Sequence, residues 1–295
     1  MGLGQYIREK AKKIDETLKN LLAPAEDVPP QLHEAMGYSI FAGGKRLRPI
    51  LVLAAAETVG GRDEDVLEAA CAIELIHTYS LIHDDLPAMD DDDFRRGRLA
   101  NHKVYGEAVA ILAGDALLTK AFEILAHCDL PPNRDALLRQ VIGEVAAAAG
   151  PGGMVGGQTV DIISEGKNID AATLRYIHRS KTGALLRVSV RTGALLSGAG
   201  PDDLAALTRY AEEFGLVFQI TDDILDVVGD DERMGKPVGT DAKRGKATYP
   251  ALFGLDESRG AAREGRDKAL EALKRFGPSA QPLRQLIDYV LERDN

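Results

Sequence analysis

Six aspartates crowd into residues 84–93, within the run HDDLPAMDDDDFRRGR: Asp84, Asp85, Asp90, Asp91, Asp92 and Asp93. Carboxylates this close repel one another and persist only in water or around cations. The run follows VLEAACAIELIHTYSLI at residues 66–82, an almost uncharged helical pattern. It therefore falls at a helix C-terminus, where the macrodipole already disfavours negative charge. A compensating cation is the natural hypothesis, and Mg²⁺ holding a phosphate-bearing substrate suits an all-oxygen donor set. A solvated acidic loop is the competing reading. In a continuous helix Asp84 and Asp90 would diverge by roughly 240° and about 9 Å. Pro87 interrupts that helix, so the chain can curl and bring Asp90 back towards Asp84.

A second acidic cluster lies inside another apolar pattern, FQITDDILD at residues 218–226. Gln219, Asp222, Asp223 and Asp226 fall at relative angles of roughly 0°, 300°, 40° and 340°, one stripe of a helix. Three carboxylates in an apolar helix are costly unless paired or metal-bound. Two such clusters suggest facing walls of one metal-filled cavity.

DDLPAMD followed by RRG, with GGKRLRP upstream and FQITDDILD downstream, resembles the trans-isoprenyl diphosphate synthases. More narrowly it resembles their bacterial farnesyl diphosphate synthase type, with four residues between the aspartate pair and the third aspartate. The resemblance runs from about Ala35 to Tyr249 and implies an all-α, isoprenoid synthase-type bundle around a deep central cavity. It implies head-to-tail prenyl transfer from an allylic diphosphate to isopentenyl diphosphate. Mg²⁺ would be held by Asp84, Asp90 and Asp222, with Asp85 and Asp226 behind them. Lys45, Arg48 and Arg96 are implied to bind isopentenyl diphosphate, and His77 to be a diphosphate ligand. Arg95 and Lys181 are implied for the allylic diphosphate, with Thr182 and Gln219 placed to stabilise an allylic cation; Lys236 and Lys246, on a charged lid, could reach the leaving diphosphate across the cavity mouth. In the family an aromatic residue five positions before the first aspartate accompanies fifteen-carbon products. Tyr79 holds that position and is expected at the cavity floor, although helix geometry alone sets it about 140° from Asp84.

The residues carry readings of their own. Gly43 and Gly44 end one helix and Pro49 suits the first turn of the next, which gathers Lys45, Arg46 and Arg48 at a helix N-terminus that favours anions. A basic surface turn is the alternative. The first acidic helix is expected to open at Asp63, with Glu64 and Asp65 in its first turn. Ile73, His77, Ser80 and Asp84 share a face, although a lone helical histidine is commonly structural. Arg95 and Arg96 suit diphosphate oxygens, or simply neutralise the aspartates beside them. Gly156 and Gly157 permit a tight helix crossing near Gln158 and Asp161. Gly183, after Thr182, could bend its helix, and Lys181 alone would pass for a surface lysine. Residues 229–250 read as a Gly-rich, charged lid carrying Lys236 and Lys246. The ending LERDN lacks the basic character of the tail that closes the site in some relatives, so tail closure is not expected.

The elements that must position these groups are helices. Strand signals are nearly absent, and PPNR (131–134), GPGG (150–153) and GAGPDD (198–203) read as inter-helix turns. The 295 residues, 45% hydrophobic and without Trp, suit one all-α domain over 1–295. A net charge of −10 argues against a nucleic-acid partner. Cys71 and Cys128 lack metal spacing and read as reduced residues of a cytoplasmic protein. No stretch is long and apolar enough for a membrane span. By resemblance the partners are isopentenyl and allylic diphosphates and a second copy in a homodimer. Rival readings are a terpene cyclase, which usually carries a different second motif, and a silent prenyl-diphosphate-binding subunit, which tends to lose motif aspartates.

Overall fold

The computed structural model describes residues 2–128, 135–228 and 246–293. They are almost entirely helical. The elements are α1 Leu3–Leu21, α2 Pro30–Ile40, α3 Leu47–Thr58, α4 Leu67–Asp84, α5 Asn101–Tyr105, α6 Glu107–His127 and α7 Asp135–Ala149. After them come α8 Met154–Ser164, α9 Ala171–Ile177, α10 Ala184–Leu196, α11 Pro201–Val228, α12 Tyr249–Phe253, α13 Leu255–Ala272 and α14 Gln281–Glu292. The strands described, β1 Phe94–Arg95 and β2 Arg98–Leu99, form one small antiparallel hairpin.

Helices α3, α4 and α10 are apolar nearly all round, and they are the middle of the bundle. Ile50 to Ala56 of α3 and Ala69 to Ile76 of α4 are buried without interruption. Burying each Ile, Leu or Val contributes roughly 1.5–3 kcal/mol, so this centre dominates the stability. α4 packs chiefly on α6, α3 on α10, and α11 on α13. α3 and α10 nearly touch: a Cβ on Gly193 would lie 2.0 Å from the Val52 carbonyl oxygen.

The acidic helix does not open at Asp63. Asp63–Asp65 form a separate 3₁₀ turn, and α4 begins at Leu67. The cause is Asp63 itself, which is drawn into α1, where Lys10 and Lys13 each donate to it at 2.6 Å. The turns expected at 150–153 and 198–203 separate α7 from α8 and α10 from α11, whereas 131–134 lies outside the described residues. No helix among the described residues is long and apolar enough to cross a membrane.

Between α9 and α10 the helix widens into a π-helical segment, His178–Gly183. Lys181, Thr182 and Gly183 thus sit on the local distortion expected of them. π segments of this kind frequently mark functional sites. α8 approaches this segment so closely that a Cβ on Gly157 would lie 2.2 Å from the Lys181 backbone nitrogen. Only glycine permits that approach, which sets Asp161, one turn further on, against Lys181.

Candidate active site

Past the C-terminus of α4 the chain turns back at Pro87, and the Asp90 amide donates to the Asp84 carbonyl at 2.8 Å. The curl expected of the proline is therefore present. Asp84 and Asp90 face two lysines. Lys181 donates to Asp161 at 2.6 Å, and Lys246 lies 3.3 Å from Asp90 and 3.9 Å from Asp161. Burial lifts the Asp84 carboxyl to about 6; the Lys181 charge pulls it down and Asp90 pushes it up again. Burial alone would depress Lys181, but Asp161, Asp84 and Asp90 outweigh it and leave the ammonium raised. The carboxyl stays raised despite the neighbouring ammonium because burial outweighs it. The oxygen-only donors of this corner fit a hard divalent ion.

Asp85 has a different partner. It is buried and accepts from Arg95 Nε at 3.0 Å, while Asp92 lies 3.4 Å from the same guanidinium. Arg95 therefore does neutralise its neighbours, as its alternative reading held. Arg96, at φ 54°, turns the other way and donates to the Gly43 carbonyl. The short hairpin thus splits adjacent arginines between two sites.

Arg96 helps to line a cavity of about 130 Å³ with Lys45, Arg48, His77, Phe218 and Arg293. Arg46 borders it but is tied down by Glu74 and Asp15, each at 2.9 Å, and by the Ile40 carbonyl. The remaining cations are crowded. Desolvation lowers Arg48 to about 10; Glu74 and Asp222 oppose this, and Arg96 adds to it. Desolvation also lowers Lys45, and the Arg293 charge adds to that. His77 is held well below its usual range by burial, then by Arg48 and Arg96. Among the described residues Arg48 Nε and Arg293 Nε are both shut from solvent with no hydrogen-bond partner. Four cations, a neutral imidazole and two orphaned donors make a receptor for a multiply charged anion.

A second cavity, of about 100 Å³, is lined by Asp161, His178, Lys181, Thr182, Gln219, Asp223, Lys246 and Thr248. Lys181, Thr182 and Gln219 do come together there. The aspartates of α11, however, divide. Asp223 is buried and accepts from the Tyr249 amide at 2.7 Å, with His178 at 3.3 Å and Gln219 at 3.3 Å. Asp226 is buried as well. Asp222 faces outward and pairs with Arg293 at 2.5 Å, at the edge of the four-cation cavity. The single stripe of the helical wheel is thus split between two sets of partners.

Arg293 was not among the residues singled out for the site, and Asp161 and Asp223 were named in their motifs without the partners they have here. Arg293 also brings the tail against the second acidic helix. It sits within LERDN, stacks over Phe218 at 4.2 Å and closes on Asp222. Lys236 lies outside the described residues.

A family model described as polyprenyl synthetase matches residues 29–290. A farnesyl diphosphate synthase of Escherichia coli strain K12 is 46% identical over 298 residues, covering 100% of both chains. A geranylgeranyl diphosphate synthase of Cyanophora paradoxa is 46% identical over 291 residues, covering 98% of this chain and 96% of that one. Among solved structures, an FPP/GFPP synthase from Zymomonas mobilis superposes with a TM-score of 0.88 at 37% identity, over 98% of each chain. With basic and acid-lined cavities on an all-α bundle, and with these relatives matched from end to end, the chain belongs to the polyprenyl synthetase family.

Proposed function

We propose that this chain joins isopentenyl diphosphate head-to-tail to dimethylallyl and then geranyl diphosphate, giving farnesyl diphosphate as the main product. Membership of the family makes it a prenyltransferase. The observation that carries the finer reading is the pairing of two unlike anion sites. The four-cation cavity of Lys45, Arg48, Arg96 and Arg293 suits a diphosphate held without a metal. The Asp84–Asp90 corner, with Lys181 and Lys246, suits one held with a metal.

Asp84 and Asp90 would hold Mg²⁺, joined by Asp222 once Arg293 releases it; when bound the ion supplies neutralising charge to a departing diphosphate. Lys181, Lys246 and Arg95 bind the allylic diphosphate oxygens and stabilise charge as the carbon–oxygen bond breaks. The hydroxyl of Thr182 and the amide of Gln219 turn their dipoles towards the allylic cation. His77, Lys45, Arg48 and Arg96 orient isopentenyl diphosphate so that its double bond attacks that cation. A carbon–carbon bond forms, and the proton released goes to the departing pyrophosphate. Apolar walls keep out water, which would otherwise quench the cation.

The reading carries with it one domain over residues 1–295 acting as a cytoplasmic homodimer. Ile111 and Leu112 of α6, 43% and 56% exposed, support an apolar subunit contact. Incubation with labelled isopentenyl and dimethylallyl diphosphates, followed by chromatography of the products, tests the proposal. A fifteen-carbon diphosphate supports it. A cyclic hydrocarbon or no product would overturn it.

A further inference from the structure

Outside the two diphosphate sites, Asp91, Asp93 and His102 bring one potential ligand atom each within 4.8 Å of one another. Exposed carboxylates alone would mean little, and Asp91 and Asp93 are exposed. His102 is what distinguishes the cluster. It is only 6% exposed, and among the described residues neither of its ring nitrogens has a hydrogen-bond partner. A buried imidazole that lacks both partners forfeits free energy unless something ligates it. The two carboxylates lie just where such a ligand would sit.

The geometry points to a second, non-catalytic cation site at Asp91, Asp93 and His102, suited to a borderline divalent ion such as Zn²⁺. One imidazole nitrogen with two carboxylates favours zinc or a neighbouring transition ion over magnesium, which prefers oxygen alone. Zinc ligands stand about 2.0–2.2 Å from the ion, so the two carboxylates must draw in slightly. Both are free to move, since they sit on exposed loop residues. Lys103, paired with Asp93 at 2.6 Å, supplies the counter-charge without the ion. The imidazole is the fixed member. Asn101, beside it, donates to the Ala35 carbonyl at 2.8 Å and holds α5 against α2.

The placement gives the ion a role. The Ala100 amide donates to the Asp93 carbonyl at 2.8 Å, closing the open end of the β1–β2 hairpin. Asp91 and Asp93 lie on the loop entering that hairpin, and His102 lies just past its exit. An ion there clamps the base of the hairpin whose far end carries Arg95 and Arg96. It would fix those arginines without touching substrate.

Equilibrium dialysis of the full chain against Zn²⁺ in a large excess of Mg²⁺ tests the site. The wild type and Asp84→Asn should both retain one equivalent of zinc that magnesium does not displace. Asp91→Asn/Asp93→Asn should raise the Zn²⁺ dissociation constant about tenfold or more. These two positions are exposed, so their exchange leaves the fold intact. His102→Gln, where it folds, should abolish the visible bands of the Co²⁺-loaded protein. Backbone amide exchange across residues 94–99 should slow on adding zinc in the wild type and not in the double variant. Zinc retained equally by the double variant, or lost from Asp84→Asn, would overturn the inference.

Discussion

Arg293 Nη2 donates to Asp222 Oδ1 at 2.5 Å across 71 residues of sequence, and Arg293 is nearly enclosed while Asp222 is open. The same guanidinium lies over the Phe218 ring and donates to the Phe218 carbonyl at 3.1 Å. One residue near the end of the sequence thus touches a proposed metal ligand and lines the four-cation cavity at once. Arg293→Gln should therefore act on one substrate and on the metal. It should raise the Michaelis constant for isopentenyl diphosphate, at a cost of about 1.5–3 kcal/mol for a lost charge-assisted bond. It should also lower the Mg²⁺ concentration giving half-maximal rate, because Asp222 no longer carries a competing guanidinium. Steady-state kinetics with isopentenyl diphosphate and Mg²⁺ varied in turn check both. An unchanged isopentenyl constant would remove Arg293 from that cavity.

The Asp84 carboxyl gives a pH-dependent prediction. Its folded value, about 6, stands above the ordinary 3.8. Below 3.8 both folded and unfolded chains hold the proton and the group costs nothing. As pH rises from there to 6 the unfolded chain releases its proton first, so stability falls; above 6 the full penalty is present. At 1.36 kcal/mol per unit that penalty is at most about 3 kcal/mol. Asp84→Asn should consequently raise the melting temperature of the metal-free protein at pH 7.5, with the gain vanishing by pH 4. Turnover should nearly disappear in the same variant. A lower melting temperature at pH 7.5 would show that burial and Asp90 do not strain this carboxyl.

The two proposed diphosphate sites should separate by substitution. Arg48 lies in the four-cation cavity, and Lys181 stands against Asp161 near Asp84 and Asp90. Arg48→Ala should weaken isopentenyl diphosphate by about 1.5–3 kcal/mol while sparing the allylic substrate. Lys181→Ala should do the reverse. Substrate titrations of both variants decide the matter, and equal damage to both constants in both variants would argue against distinct sites.

What could be read in the sequence follows from how local each cause is. Pro87 dictates its own turn, so the return of Asp90 to Asp84 was available from residue types alone. Gly157 and Gly183 likewise announce a close approach and a distorted helix. The gathering of Lys45, Arg48, His77 and Arg96 is tertiary, and only resemblance supplied it. The helical wheel placed Asp222 and Asp223 on one stripe, yet a turn of about 100° per residue is enough to give them different neighbours. Asp223 meets His178 and the Tyr249 amide, and Asp222 meets Arg293. Neither set of partners is near in sequence. Arg293 had no local signal, because a lone arginine among LERDN looks like any solvated helix end.

The proposed fifteen-carbon product makes Tyr79 the residue to test. The residue is 6% exposed on α4, with its ring edge-on to His83 at a centroid distance of 5.7 Å. His83 in turn lies 3.0 Å from the Ile111 carbonyl of α6, so Tyr79 occupies the seam between α4 and α6. Burial raises its hydroxyl pKa and the Asp84 charge raises it further, which keeps the phenol neutral within the field of the first aspartate. On the proposed function, a chain growing away from the metals along α4 would meet this ring about 7.5 Å of helix rise from Asp84. Tyr79→Ala removes the ring, leaves a cavity and costs roughly 3–5 kcal/mol of stability if the seam does not collapse. Tyr79→Leu keeps more of the packing and is the safer companion. With labelled isopentenyl diphosphate, Tyr79→Ala should shift the main product from fifteen to twenty or more carbons, and Tyr79→Leu should shift it part of the way. If both variants fold and still stop at fifteen carbons, the ring is packing between α4 and α6, and the floor must be sought elsewhere. A wild type that already makes twenty carbons would instead favour the geranylgeranyl assignment.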